Sequence, residues 1–371
     1  MIYLDSAATS FYKPKSVKYA VVDAMENMSS PGRGAYPCAM SASDKVYECR
    51  EKIAELFNMK NPENAVFTFN ATHALNVAIR SLAGKDDKVV VSGYEHNSVT
   101  RVLNHIGADW KAVQTPLFAP EKVISEFRKS IENARLAVCS HVSNVFGFIQ
   151  PVYEISKLCR EAGVPLVIDA SQSAGVLNID FEKLDADFIA MPGHKGLLGP
   201  QGTGILLCRN IAEPLMFGGT GSASLEQYMP DFLPDRLEAG THNVPGIAGL
   251  SAGIQYVLDI GAESIGKHEQ ALCMQMADIL SENNDLEVFR TDNGTQAGVL
   301  SVRHERIDPE SLCSELGKRG IAARCGLHCA PLAHETTGTI DTGTVRFSVS
   351  PFTERAEVEK ACKEIENVIN M

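Results

Sequence analysis

Val164-Pro-Leu-Val-Ile-Asp169-Ala-Ser-Gln172 and Phe188-Ile-Ala-Met-Pro-Gly-His-Lys195-Gly-Leu-Leu-Gly-Pro200 share one design. A short apolar run (164–168, 188–191) ends abruptly and is followed by residues able to do chemistry: Asp169 and Gln172 in one case, His194 and Lys195 in the other. Continuous apolar runs of this length read as strands buried on both faces. The pattern repeats outward. Thr72 follows a run at 65–69, His96 follows 88–92, Asn144 follows 136–140, and a further run lies at 204–208. Helical spacing fills the gaps, as in Val46, Ile53, Ala54, Leu56 and Phe57 or over 74–82. Strand–helix alternation predicts an α/β fold with a mainly parallel sheet. Ligands then bind beyond the carboxyl ends of the strands, where these polar residues fall.

After Gly253 the pattern changes to a single long helix over 251–282, a strand at 297–302 and a helix at 309–319. A strand at 344–348 and a helix at 354–369 complete a small α+β unit. The expected division is a large domain over 15–253, with 1–14 and 254–371 forming the small one. A chain of 371 residues suits two cores. The formal net charge of −12 and the absence of any run of Lys or Arg argue against a nucleic-acid partner. MIYLDSAATS lacks the basic and apolar regions of a signal peptide, and no apolar stretch is long enough for a membrane span. The expectation is a cytoplasmic protein with no membrane partner, its ten cysteines mostly free thiols. Cys325, His328 and Cys329 lack a second pair of ligands at zinc spacing, so no metal is expected.

No G-x-G-x-x-G follows the first strands, and no P-loop sequence occurs, which argues against dinucleotide and nucleoside-triphosphate chemistry. Asp169, at the end of a buried strand, needs a cation or a helix to cap. One reading is a simple cap; the other is a partner for a protonated pyridine nitrogen, which keeps the ring an electron sink. Lys195 sits among glycines and apolar residues. Such a lysine is either a surface charge or a partly desolvated amine suited to a Schiff base. Thr72, with the backbone of Ala71 and His73 at a helix start, offers N–H donors to a phosphate.

Further segments carry a resemblance. Tyr3-Leu-Asp-Ser-Ala-Ala-Thr, Glu95-His-Asn-Ser, Val142-Ser-Asn-Val-Phe-Gly, Gly193-His-Lys-Gly-Leu-Leu-Gly-Pro and Glu238-Ala-Gly-Thr-His-Asn resemble the class V aminotransferase group of fold type I, in order along nearly the whole chain. Within it, Arg324-Cys-Gly-Leu-His-Cys329-Ala-Pro is similar to the nucleophile loop of cysteine desulfurases and selenocysteine lyases of the second desulfurase group. The resemblance implies a seven-stranded large sheet, pyridoxal 5'-phosphate as cofactor and a homodimer. Lys195 would hold the cofactor and shuttle protons, Asp169 would meet the pyridine nitrogen, Gln172 the ring hydroxyl, and His96 the ring face. Thr72, Ala71 and His194 would bind phosphate, joined by Thr241 from a neighbouring subunit. Asn144, Arg346 and Arg324 would hold the substrate, L-cysteine or L-selenocysteine. Cys329, its thiolate favoured by Arg324 and His328, would take the sulfur and pass it to an acceptor protein. A scaffold role in sulfur or selenium trafficking is a third reading, against which the Lys195, Asp169 and Cys329 set argues.

Three positions depart from the family pattern. Pro192 replaces a hydroxyl residue that would contact the phosphate, and Leu327 replaces a histidine. Cys325 stands where a cysteine is unusual, and its spacing from Cys329 admits a disulfide or sulfur transfer between the two as well as mere coincidence.

Overall fold

Strand and helix alternate along the first two thirds of the chain, as the apolar runs and their Gly, Asn and Asp breaks require. In the computed structural model, which describes residues 1–32 and 34–370, strand β1 (Ile2–Tyr3) precedes helices α1 (Lys15–Asn27) and α2 (Pro37–Leu56). There follow β2 (Ala65–Thr68), α3 (Ala71–Leu82), β3 (Lys88–Ser92), α4 (Asn97–Ile106) and β4 (Asp109–Val113). Next come α5 (Pro120–Ser130), β5 (Leu136–Ser140), α6 (Val152–Ala162), β6 (Leu166–Asp169), α7 (Phe181–Leu184), β7 (Phe188–Pro192) and β8 (Gly204–Cys208).

β2 to β8 form one seven-stranded sheet in the order β2-β8-β7-β6-β5-β3-β4. Its neighbours pair in parallel except for β8, which runs antiparallel to both β2 and β7. Alternate residues of the central strands enter different cores. Ala137, Cys139, Ile168, Ile189 and Met191 pack on one face. Leu136, Val138, Val167, Phe188 and Ala190 pack on the other. Both faces are therefore sealed, and the open end of the sheet is the carboxyl rim.

The expected strand at 164–168 lies one step further on, at β6, because Pro165 cannot donate to a ladder while Asp169 pairs with Ser140 and Ala190. β4 was not expected. It is the sheet edge, with Asp109 and Lys111 exposed, so its polar alternation hides it in the sequence.

The rest of the chain forms α8 (Val244–Ile260), α9 (Ala262–Leu280), β9 (Leu286–Phe289), β10 (Val299–His304) and α10 (Pro309–Lys318). It continues through β11 (Ile321–Ala322), β12 (Arg324–Gly326), α11 (Pro331–Thr337), β13 (Thr344–Ser348) and α12 (Arg355–Ile369). The single helix expected over 251–282 is two helices. Gly261 separates them at φ 88°, a backbone setting glycine tolerates and other residues resist. The expected boundary at residue 253 falls inside α8, which packs along α1 and α2. β12, β13, β10 and β9 make a four-stranded antiparallel sheet. α9, α10 and α12 close its core around Leu300, Val302, Val345 and Phe347. β1 pairs with β11, so the N-terminus is stitched to this smaller unit. No helix of the described residues is long and apolar enough to cross a membrane.

Candidate active site

Between the rim of the large sheet and the smaller unit lies a cavity of about 220 Å³. Ala71, Thr72, His96, Asn144, Asp169, Gln172, His194, Lys195, Arg324, Cys329 and Arg346 all border it. Thr241, expected at the phosphate, lies elsewhere, in a second cavity with His73, Gly202 and Glu238, and Cys325 and Leu327 do not border the first. One chain does not bring Thr241 to Lys195.

One end of the cavity suits a phosphate. Asn70 caps α3 by accepting from the His73 N–H (2.9 Å). The Ala71 and Thr72 N–H groups have no carbonyl within the helix to reach, and both residues border the cavity at the positive end of the helix dipole. Thr72 Oγ1 is 2.7 Å from Ser98 Oγ, which is 2.9 Å from His96 Nδ1. His194 borders the same space, its Nδ1 3.0 Å from Thr9 Oγ1. Burial, reinforced by Lys195 and Lys13, pushes the His194 pKa down to about 4, so the ring is neutral.

The middle of the cavity suits a heteroaromatic ring. Asp169 is buried, and its Oδ1 accepts the Ser171 N–H (2.9 Å). No donor among the described residues occupies its second oxygen, which leaves it open to a cationic ring nitrogen. Gln172 lies beside it, held by its amide N–H to the Ala7 carbonyl (2.9 Å). His96 is the N-cap of α4: its Nδ1 accepts from the Ser98 N–H (3.0 Å). That bond leaves the proton on Nε2, and burial lowers the ring's pKa against the pull of Asp169, so a neutral imidazole borders the cavity.

Lys195 completes this region. Burial lowers its pKa from the usual 10.5 to about 8, although Asp169 pulls the other way. Imine formation requires the free amine, and a pKa near 8 makes about a tenth of it available at pH 7, against well under 0.1% for an ordinary lysine. Pyridoxal phosphate fits these residues on donor chemistry alone: free N–H groups, an open carboxylate, a neutral ring and a reactive amine. Capture of pyridoxal phosphate by the cofactor-free chain should therefore accelerate through a midpoint near pH 8, as the amine loses its proton. Borohydride fixation against pH measures this; a midpoint near 10.5 would mean that the cavity does not tune Lys195.

The far end carries the thiol. Leu327 accepts the Ala330 N–H (2.8 Å), closing a turn whose central residues His328 and Cys329 have φ of 50° and 55°. Two left-handed non-glycine residues in succession cost about 1–2 kcal/mol each. The surroundings hold them there. Asn97 N–H donates to the Cys329 carbonyl (2.8 Å), and Asn144 Nδ2 to the His328 carbonyl (2.9 Å). The turn leaves Cys329 exposed at the cavity.

His328 corrects the sequence expectation. It is buried, its Nε2 lies 3.2 Å from the Thr344 carbonyl and 3.1 Å from Thr344 Oγ1, and burial together with Arg346 pushes its pKa down to about 2. A neutral ring cannot favour a thiolate by charge. It anchors the turn instead, and the cations bordering the cavity with Cys329 are Arg324, Arg346 and Lys195.

Arg346 lies on β13, inside the small sheet, and is 2% exposed. Its Nη2 donates to Asp5 Oδ1 and its Nη1 to the Asn144 carbonyl, both at 2.8 Å. Among the described residues its buried Nε has no hydrogen-bond partner, so the guanidinium keeps N–H capacity for a carboxylate. Asp5 also meets Arg324 Nε at 3.3 Å, bridging the two arginines. Sequence reasoning gave Asp5 no role, nor Glu95. Glu95 is wholly buried behind Asp169, accepting from Ser92, from the Ser140 N–H (2.6 Å) and from Ser140 Oγ (2.9 Å). Burial, with a contribution from Asp169, lifts its pKa to about 7. Pro192 lines the cavity at the end of β7, where it offers no hydroxyl.

Known proteins resemble this chain along nearly its whole length. The profile of the aminotransferase class-V family matches residues 2–361. A probable cysteine desulfurase from Methanothermobacter thermautotrophicus is 33% identical over all of this chain and 95% of its own length. A cysteine desulfurase from Haloferax volcanii is 30% identical over 97% of this chain and 87% of its own. Among solved structures, the apo cysteine desulfurase of Thermococcus onnurineus superposes with a TM-score of 0.90 at 31% identity, covering 100% of this chain and 94% of that one. The Escherichia coli cysteine desulfurase in an S-sulfonic acid form gives a TM-score of 0.88 at 25% identity, with the same coverage.

Proposed function

The chain belongs to the aminotransferase class-V family, whose cysteine desulfurases depend on pyridoxal phosphate, and from that premise we propose that it is itself a cysteine desulfurase. L-cysteine becomes L-alanine, and its sulfur leaves on Cys329 as a persulfide for an acceptor. The observation that carries this reading is a single cavity. Lys195 and Asp169 lie in it with Cys329, which stands exposed on a turn pinned from Asn97 and Asn144.

The bound cofactor supplies an electron sink for charge developing on the substrate carbon. The residues of the chain do the rest. Asp169 holds the positive charge of the pyridine, and the start of α3 holds the phosphate. Arg346, with Asn144 beside it, faces the substrate carboxylate. Lys195 takes and returns the proton at the substrate Cα. The Cys329 thiolate attacks the substrate sulfur and forms an S–S bond. The carbon–sulfur bond breaks with its electron pair staying on carbon, which takes up a proton to give alanine. The names of the relatives favour cysteine over selenocysteine as the substrate. Alanine release from each amino acid tests the choice: turnover of L-cysteine with persulfide on Cys329 is expected, and release from L-selenocysteine alone would replace this reading.

We further propose that the working unit is a homodimer in which Thr241 completes the phosphate site of the partner subunit. Thr241 is remote from the cavity of its own chain, and Phe217, Leu225 and Tyr228, upstream of it, are more than three-quarters exposed. Co-refolding Thr241→Ala with Lys195→Ala chains places both defects in one site and leaves the other site intact. Activity above that of either parent is expected; none would show that each chain is self-sufficient.

A further inference from the structure

Cys325 does not face Cys329. On β12 the side chain of Arg324 borders the cavity, so that of Cys325, the next residue, projects to the opposite face of the small sheet. There it shares a face with Val345, its partner on β13, in the core against which Cys313 of α10 packs. Both residues are partly exposed, unlike the buried Cys49, Cys139, Cys159, Cys208, Cys273 and Cys362. Their pairing is tertiary. α10 packs against β11, β12 and β13, and Cys313 sits against the apolar core that α9 and α12 share.

We propose that Cys313 and Cys325 are a disulfide-forming pair, oxidised by low-molecular-weight disulfides, that staples α10 to the strand leading into the Cys329 turn. One protein thiolate attacks the small disulfide, forming a mixed disulfide and releasing one small thiol. The second protein thiol then displaces the other small thiol, so two protein thiols and one disulfide give a protein disulfide and two small thiols. β12 carries Arg324, which meets Asp5, and pairs with β13 at Arg324–Arg346. The Cys329 turn begins directly after it, at Leu327. Tying β12 to α10 therefore stiffens the root of the turn that must present Cys329 first to the substrate and then to an acceptor. The pair itself stands on the fold, whereas its effect on Cys329 rests on the reading above.

The full-length holoenzyme, incubated over a graded ratio of oxidised to reduced glutathione, alkylated and peptide-mapped, tests the pair. A peptide joining residues 313 and 325 is expected to accumulate with oxidation, equally in Cys329→Ser, and to vanish in Cys313→Ser. The bond should also raise Tm by about 2 °C or more. Its absence at the most oxidising ratio, or a bond from Cys325 to Cys329 in its place, overturns the proposal. Turnover of the cross-linked fraction, with the Cys329 thiol verified free, should fall severalfold and recover with dithiothreitol. Unchanged turnover would remove the effect on Cys329 while leaving the bond itself. The cross-link is read without catalysis, so its failure is distinct from failure of the desulfurase reading.

Discussion

Replacing Lys195 by alanine is expected to lower alanine release from L-cysteine by about 10³-fold or more. Two losses coincide. The amine that ties the cofactor disappears, and so does the base positioned at the substrate Cα. The fold should survive, because among the described residues Lys195 makes no hydrogen bond or ion pair to another side chain and its charge is already disfavoured by burial. Urea unfolding of the cofactor-free variant should match the unsubstituted protein within about 1 kcal/mol, since the change removes no partner from another group. Borohydride treatment followed by peptide mapping should recover cofactor on residue 195 of the unsubstituted chain and none on the variant. A variant that still fixes the cofactor at another lysine with wild-type turnover would displace Lys195 from its assigned place.

Cys329 offers the second large effect, and here stability and activity should move in opposite directions. Cys329→Ala is expected to retain bound cofactor yet lose persulfide, with sulfide production falling about 100-fold or more for want of an aligned nucleophile. Cys329→Gly should lose the same activity while gaining stability. At φ 55° a side chain costs about 1–2 kcal/mol, whereas glycine sits there freely and gives back roughly 0.5–1 kcal/mol through its more flexible unfolded chain. A net gain near 0.5–1 kcal/mol is expected, read by urea unfolding of the cofactor-free protein. A glycine variant that is less stable than the alanine variant would show that the turn carries no strain at residue 329. On the proposed reading, strain held at residue 329, in a turn fixed by Asn97, Asn144 and Thr344, serves presentation of the thiol rather than stability.

Much of the site was legible because parallel strands deliver their following residues to one rim, and apolar runs mark where strands stop. Thr72, His96, Asn144, Asp169 and Lys195 could be placed together by that rule alone, and one cavity holds them. What escaped depends on contacts between distant parts of the chain. Asp5 acquires its place from Arg346, at the other end of the sequence, once β1 joins β11. His328 looks like a cation beside a cysteine until Thr344 of β13 and the surrounding burial are known. Glu95 occurs in a motif recognisable by eye, but its burial beneath Asp169 follows from Ser92 and Ser140 on adjacent strands. The direction of β8 was also hidden, since a wholly buried strand has the same composition whichever way it runs. At Gly261 apolar periodicity continues across the break, so only the backbone angle reveals two helices.

The fate of one sulfur atom decides the matter. Holoenzyme given a single equivalent of L-cysteine without reductant, then alkylated and peptide-mapped by mass spectrometry, should carry one extra sulfur on residue 329, with alanine formed in equal amount. Alanine appearing while residue 329 stays an ordinary thiol, or the extra sulfur residing on another of the ten cysteines, would contradict the assignment.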